Sequence, residues 1–167
     1  MLWFFLIFFH IALILLFIGH LELIAEFKII QVIPHNVFLG GGYVGLTLII
    51  CAIYFLGRRF KTPVRQLSVP EDYLLLLLLL LTFIFGSQLD WARNWYEYGQ
   101  LEVWEYQDYL YSLVTFHPQL PDGILYSGHS FMVVVHIFLA NLFLMVFPFT
   151  HLMHAFLSLP MNKLRRG

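Results

Sequence analysis

The chain has 167 residues, 60% of them hydrophobic and only 11% charged, where a soluble domain carries roughly a quarter charged; this is the composition of an integral membrane protein with little room for a separate soluble domain. Nine basic against ten acidic residues leave a formal net charge of −1, which excludes the basic excess of a nucleic-acid binder. The single cysteine, Cys51, excludes an internal disulfide and falls short of the about four thiolates that an iron–sulfur cluster takes, and without a C-x-x-C-H motif covalent c-type haem is excluded too.

The first apolar run covers residues 2–21. No basic segment precedes it and no small-residue cleavage site follows, so it reads as a span rather than a signal peptide. Its length meets the ~20 residues that a bilayer needs. The second run, 37–56, is broken only by glycines and Thr47. Gly40, Gly41, Gly42 and Gly45 open it, and the spacing of Gly41 and Gly45 predicts close helix packing. A basic loop follows, with Arg58, Arg59, Lys61 and Arg65. The third run, 73–89, contains eight consecutive leucines from Leu74 to Leu81. Residues 90–122 are acidic and rich in Trp and Tyr, among them Trp91, Trp95, Trp104, Tyr106, Tyr109 and Tyr111. Such rings favour the membrane–water interface, and 102–116 is predicted to be a helix lying along the outer surface. The fourth run, 131–149, contains His136, Asn141 and Pro148, and Lys163, Arg165 and Arg166 lie beyond it.

Backbone groups in lipid must bond internally, so each run is predicted to be a helix. An even number of spans puts the 58–65 loop, the basic tail and the N-terminus on one side, and the lysine and arginine excess makes that side cytoplasmic. The expected fold is an all-α four-transmembrane-helix bundle with both termini cytoplasmic and a short outer interfacial helix, one domain over residues 1–167.

Eight histidines are the chemistry this composition offers: His10, His20, His35, His117, His129, His136, His151 and His154. Inside a span an imidazole either hydrogen-bonds a neighbouring helix or serves a function such as metal ligation. His10 and His20 lie on the first span, ten residues or ~15 Å apart along the axis, and His136 and His154 lie on the fourth and its extension, eighteen residues or ~27 Å apart. Antiparallel helices then set His10 level with His154 on the inner side, and His20 level with His136 on the outer side. One histidine from each helix at each level is the arrangement that two six-coordinate haems need. The rotational match is imperfect, because ten residues end ~80° off the starting face while eighteen return to it. Pro148 is expected to bend the fourth span. His129, seven residues before His136 on nearly the same face, is the rival ligand and is read as an interfacial residue.

Several stretches resemble one family, the cytochrome b gamma subunit of respiratory nitrate reductase and its relatives. F-H-I-A-L-I-L-L-F-I-G-H, ending at His20, is similar to the family's first haem-ligand helix, with Gly19 before the second histidine. F-L-G-G-G-Y-V-G resembles its glycine-rich helix, and R-R-F-K-T-P-V-R-Q-L-S-V-P-E-D-Y resembles its inner loop. S-L-V-T-F-H precedes the last span in the same way, and V-H-I-F-L-A with F-P-F-T-H-L-M-H resembles the second ligand helix. The relatives include membrane cytochromes of sulfite-reduction, heterodisulfide reductase and hydrogenase complexes.

The resemblance implies two b haems as cofactors, the proximal one held by His10 and His154 and the distal one by His20 and His136. It implies quinol (menaquinol or ubiquinol) oxidised beside the distal haem, with Gly19, His20, Lys28, His35 and His129 as candidates for the quinone site. Lys28 stands nearest to the family's quinone-site lysine, and Glu22, Glu26 and His35 are candidates for proton release. His151 occupies the place of a basic residue expected to meet a haem propionate. The family usually has a further span before the ligand helix, whereas this sequence starts at it. The implied partners are an iron–sulfur subunit and a catalytic subunit on the cytoplasmic face, docked at the 58–65 loop and the 163–166 tail, in the plasma membrane of a bacterium or archaeon. Two other readings stay open: the same haems serving a sulfite-reduction, heterodisulfide or hydrogenase complex, with electrons running toward quinone, or a haem-free channel or scaffold.

Overall fold

The computed structural model describes residues 2–21, 42–62, 64–95, 103–128 and 130–150. Among these, every regular element is helical: α1 Leu2–Leu21, α2 Tyr43–Arg59, α3 Val64–Leu67, α4 Pro70–Trp95, α5 Val103–Val114, α6 Asp122–Tyr126 and α7 Ser130–Val146, which runs into a 3-10 turn at Phe147–Phe149. The main interfaces follow the chain: α1 packs on α2, α2 on α4, and α4 on α7.

Leu2–Leu21, Pro70–Leu89 and Ser130–Phe149 are each long and apolar enough to cross a membrane. Of α1 only Ala12 and Gly19 are buried, while Phe4, Phe8, Ile14 and Phe17 face outward. A helix apolar all round with so little of it covered by protein suits lipid and not water. α2 is described over 17 residues, and the start of its predicted run lies outside the described residues. The described residues thus supply three candidate crossings, with α2 beside them.

Where helix limits depart from the apolar runs, the reason is local. α4 has 26 residues, about 39 Å at ~1.5 Å per residue, against a hydrocarbon core of ~30 Å. It starts at Pro70 with Glu71 and Asp72 in its first turn, which suits the free N–H groups and positive pole of a helix start. At its other end it takes in residues 90–95, predicted as part of the outer segment. Pro148 does more than bend the fourth span: the α-helix ends at Val146 and a 3-10 turn carries the proline, after which Thr150 is extended at φ −101°, ψ 161°. The helix therefore stops ten residues after His136, and the eighteen-residue helical count to His154 loses its basis.

The core between α1, α2 and α4 is built from small and large residues in register. Leu48 and Ala52, one turn apart on α2, are buried against Ala12 of α1 and Phe83 of α4. Phe5 stacks on Tyr54 with ring centroids 3.9 Å apart, and Phe9 meets Phe55 edge-on at 5.4 Å. Nearer the opposite end, α2 approaches α4 closely. Gly42, the N-cap, has φ +68°, and a Cβ there would strike the Trp91 indole, just as one at Gly45 would strike Ser87 Oγ. The predicted close packing of this glycine-rich stretch is present at Gly42 and Gly45, and Gly41 lies outside the described residues.

Both ends of the bundle are tied by short polar motifs. Between α2 and α4, Arg59 Nη1 donates to Asp72 Oδ2 at 2.8 Å and to Ser68 Oγ at 3.1 Å, and the Tyr73 hydroxyl donates to the Arg59 carbonyl at 2.8 Å. The helix predicted over 102–116 is present as α5, Val103–Val114, and Tyr109 packs with Ile124 of α6 and Val133 of α7. α5 ends in a Schellman turn, with His117 N–H bonded to the Ser112 carbonyl at 3.0 Å and Phe116 N–H to the Leu113 carbonyl at 3.2 Å. Its left-handed position is Phe116, at φ 59°.

Candidate functional site

The site lies where α1 and α7 meet. His20 is on the last turn of α1 and His136 is in the first half of α7. Their ring centroids lie 6.3 Å apart with the planes tilted at 44°. Among the described residues α1 and α7 share no extensive interface.

Each described span histidine ties its Nδ1 to a backbone carbonyl. His20 Nδ1 donates to the Leu16 carbonyl at 2.8 Å and His10 Nδ1 to the Leu6 carbonyl at 2.6 Å, both one turn back in α1. His136 Nδ1 reaches across to α4 and donates to the Thr82 carbonyl at 3.0 Å. A carbonyl can only accept, so each bond needs the proton on Nδ1 and leaves the Nε2 lone pair for another partner. Histidines that ligate metals are held in this way. In each of the three, one ring nitrogen is thus engaged by a backbone carbonyl.

α4 makes room for His136. A Cβ on Gly86 would come within 2.8 Å of His136 Cε1 and 3.1 Å of its Nδ1. The Thr82 hydroxyl is turned away, donating to the Leu78 carbonyl at 2.8 Å. Thr82 and Gly86 are site residues that the sequence did not single out; the only available signal was a glycine interrupting a bulky apolar run, one turn after a threonine.

Of the predicted site residues, then, His20 and His136 are brought together. Gly19 is buried beside His20. His10 is on an exposed face of α1. Lys28, His35, His129, His151 and His154, with Glu22 and Glu26, lie outside the described residues. In the predicted docking loop Arg58, Lys61 and Arg65 are exposed, whereas Arg59 is taken up by Asp72. Among the described residues no group of three or more His, Cys, Asp or Glu is placed to hold a bare metal ion. The 6.3 Å between the two ring centroids is close to the spacing of two imidazoles each bonded at about 2 Å to one iron, so the pair fits a haem.

Helices apolar and long enough to cross a bilayer, with two histidines paired between them, define a multi-pass membrane protein. The chain belongs to the nitrate reductase gamma subunit family, whose profile matches residues 2–167. It is similar to the Hdr-like menaquinol oxidoreductase cytochrome b-like subunit of Archaeoglobus fulgidus, with 29% identity over 92% of this chain and 47% of that protein. It is also similar to the respiratory nitrate reductase 1 gamma chain of Escherichia coli, with 28% identity over 95% of this chain and 72% of that one. The chain thus spans about half the length of the archaeal relative. No solved structure matches it.

Proposed function

We propose that the chain is the membrane cytochrome b subunit of a prokaryotic respiratory complex, the quinol-oxidising part of a multi-subunit oxidoreductase. It carries electrons between a quinol site near the outer face and an iron–sulfur subunit on the cytoplasmic face, through two bis-histidine b haems. The observation that carries this is the His20–His136 pair, with ring centroids 6.3 Å apart and both Nδ1 atoms tied to carbonyls. Family membership and a relative named as a menaquinol oxidoreductase subunit support it.

His20 and His136 hold the distal haem and His10 and His154 the proximal one, in four spans with both termini cytoplasmic. When bound, haem b supplies a one-electron carrier at each level of the membrane. The protein's part is to fix the ligand tautomers through the Leu16, Leu6 and Thr82 carbonyls and to keep the walls apolar, so that neither ring gains a proton. Gly19, at the edge of the distal pair, leaves space for a quinol headgroup, and Lys28, His35 and His129 complete that site. Glu22, Glu26 and His35 take up the protons that quinol gives up. His151 meets a haem propionate. Arg58, Lys61 and Arg65, with Lys163, Arg165 and Arg166, offer a cationic surface to the iron–sulfur subunit, behind which the catalytic subunit lies. Each charge moved against the membrane potential stores ~2.3 kcal/mol per 100 mV.

A second reading keeps the haems and gives them a heterodisulfide-type partner; it rests on the similarity to the archaeal Hdr-like subunit, 29% identical over 92% of this chain. The test is to add menaquinol analogues to membranes holding the complex and follow absorption in the b-haem region. Reduction that is blocked by a quinone-site inhibitor and lost in His20→Ala is expected. A haem that responds to dithionite but to no quinol would overturn the quinol role.

A further inference from the structure

We infer that Gly86 and Thr82 form a positioning device for His136, in which the missing side chain at Gly86 opens the Thr82 carbonyl to the imidazole and thereby sets the electron donation and ring plane of that ligand. This rests on His136 being a haem ligand, as proposed above.

The geometry is specific to a one-turn spacing. In an α-helix a side chain leans toward the N-terminus and covers the turn before it, so residue i+4 shields the carbonyl of residue i. That carbonyl already accepts the i+4 N–H and has a second lone pair to offer. For Thr82 the shielding position is Gly86. His136 Nδ1 lies 3.0 Å from the Thr82 oxygen, and a Cβ at Gly86 would come within 2.8 Å of the ring's Cε1. The three atoms nearest to that Cβ all belong to the His136 ring, so the ring itself would have to shift. Thr82 does not compete for the opening, because its hydroxyl is bonded to Leu78 on the preceding turn. His20 and His10 bond carbonyls of their own helix, so among the described span histidines only His136 has its ring set by a second helix. A ligand that donates Nδ1–H to a carbonyl is the stronger electron donor and favours oxidised iron.

The test uses the whole complex in its native membrane, with Gly86→Ala compared against Gly57→Ala, whose added Cβ meets nothing within 4 Å. In Gly86→Ala, the haem signal that depends on His136 shifts its highest g value in electron paramagnetic resonance and its midpoint potential rises, or that haem alone is lost, while the other haem keeps both properties. Gly57→Ala changes neither. A Gly86→Ala complex with both haems as in the native one would overturn the device. A native complex in which no haem signal depends on His136 would instead overturn the ligand assignment itself. Should the alanine chain fail to accumulate, His136→Gly is reconstituted with imidazole or with 1-methylimidazole, which has no N–H for Thr82. A higher potential with the methylated ligand supports the device, and equal potentials overturn it.

Discussion

At the scale of single residues, small changes in shape carry most of the consequences. Leu48 is fully buried between three helices, and its replacement by alanine leaves a cavity worth about 2–5 kcal/mol. Thermal unfolding in detergent should show that loss, and a change near zero would mean that α1, α2 and α4 do not share this core. Phe116 is the reverse case. It is held at φ 59° in a turn that favours glycine, and its side chain is 90% exposed. Phe116→Gly removes a backbone penalty of about 1 kcal/mol with almost no packing to lose, so it should raise the unfolding temperature. Burial pushes the Tyr109 phenol above its ordinary value of 10. Since the unfolded chain then gives up its proton first, this residue favours folding below pH 10 and its contribution falls away above it. Tyr109→Phe should flatten that alkaline loss, which a pH series of unfolding measurements would reveal.

At the scale of elements, the apolar runs of the sequence located the helices but not their ends. Hydropathy records which residues lie in lipid, and a helix continues wherever its backbone bonds persist. Hence α4 runs past its leucines to Trp95, started by Pro70 and two acids. Pro148 was legible as a disturbance, but whether it bends a helix or ends it depends on how the next residues are held. The approach of His20 to His136 was legible only in part from spacing, since the unequal rises and the rotational mismatch left the levels to be reconciled by tilt or kink, and the family resemblance supplied the rest. Thr82 and Gly86 were not legible, since their part depends on which helix stands next to His136. Arg59 likewise read as one more surface cation of a basic loop. In the folded chain it joins α2 to α4 through Asp72, with about 30% and 16% of the two side chains exposed. A partly exposed pair is worth about 1 kcal/mol or less, so Asp72→Ala should cost little stability while loosening the loop between α2 and α4. Faster hydrogen exchange over residues 60–70 checks this, and unchanged exchange would show that the ion pair does not hold the loop.

At the scale of the whole molecule, the account needs the Arg58–Arg65 loop and the turn after α5 on opposite sides of the membrane. Membrane-impermeant thiol labelling of Lys61→Cys and His117→Cys, in a chain with Cys51 replaced by alanine, should label 61 from the cytoplasmic side and 117 from the outer side; labelling of both from one side would contradict the proposed topology. The central claim, that His20 and His136 hold one haem between them, has a more direct test. A dithionite-reduced minus oxidised spectrum of the purified complex, with haem counted per polypeptide, should give two b haems for the native chain and one for each of His20→Ala, His136→Ala and the double variant, because both residues serve the same iron. Native haem content in either single variant, or a further loss on combining them, would contradict the account.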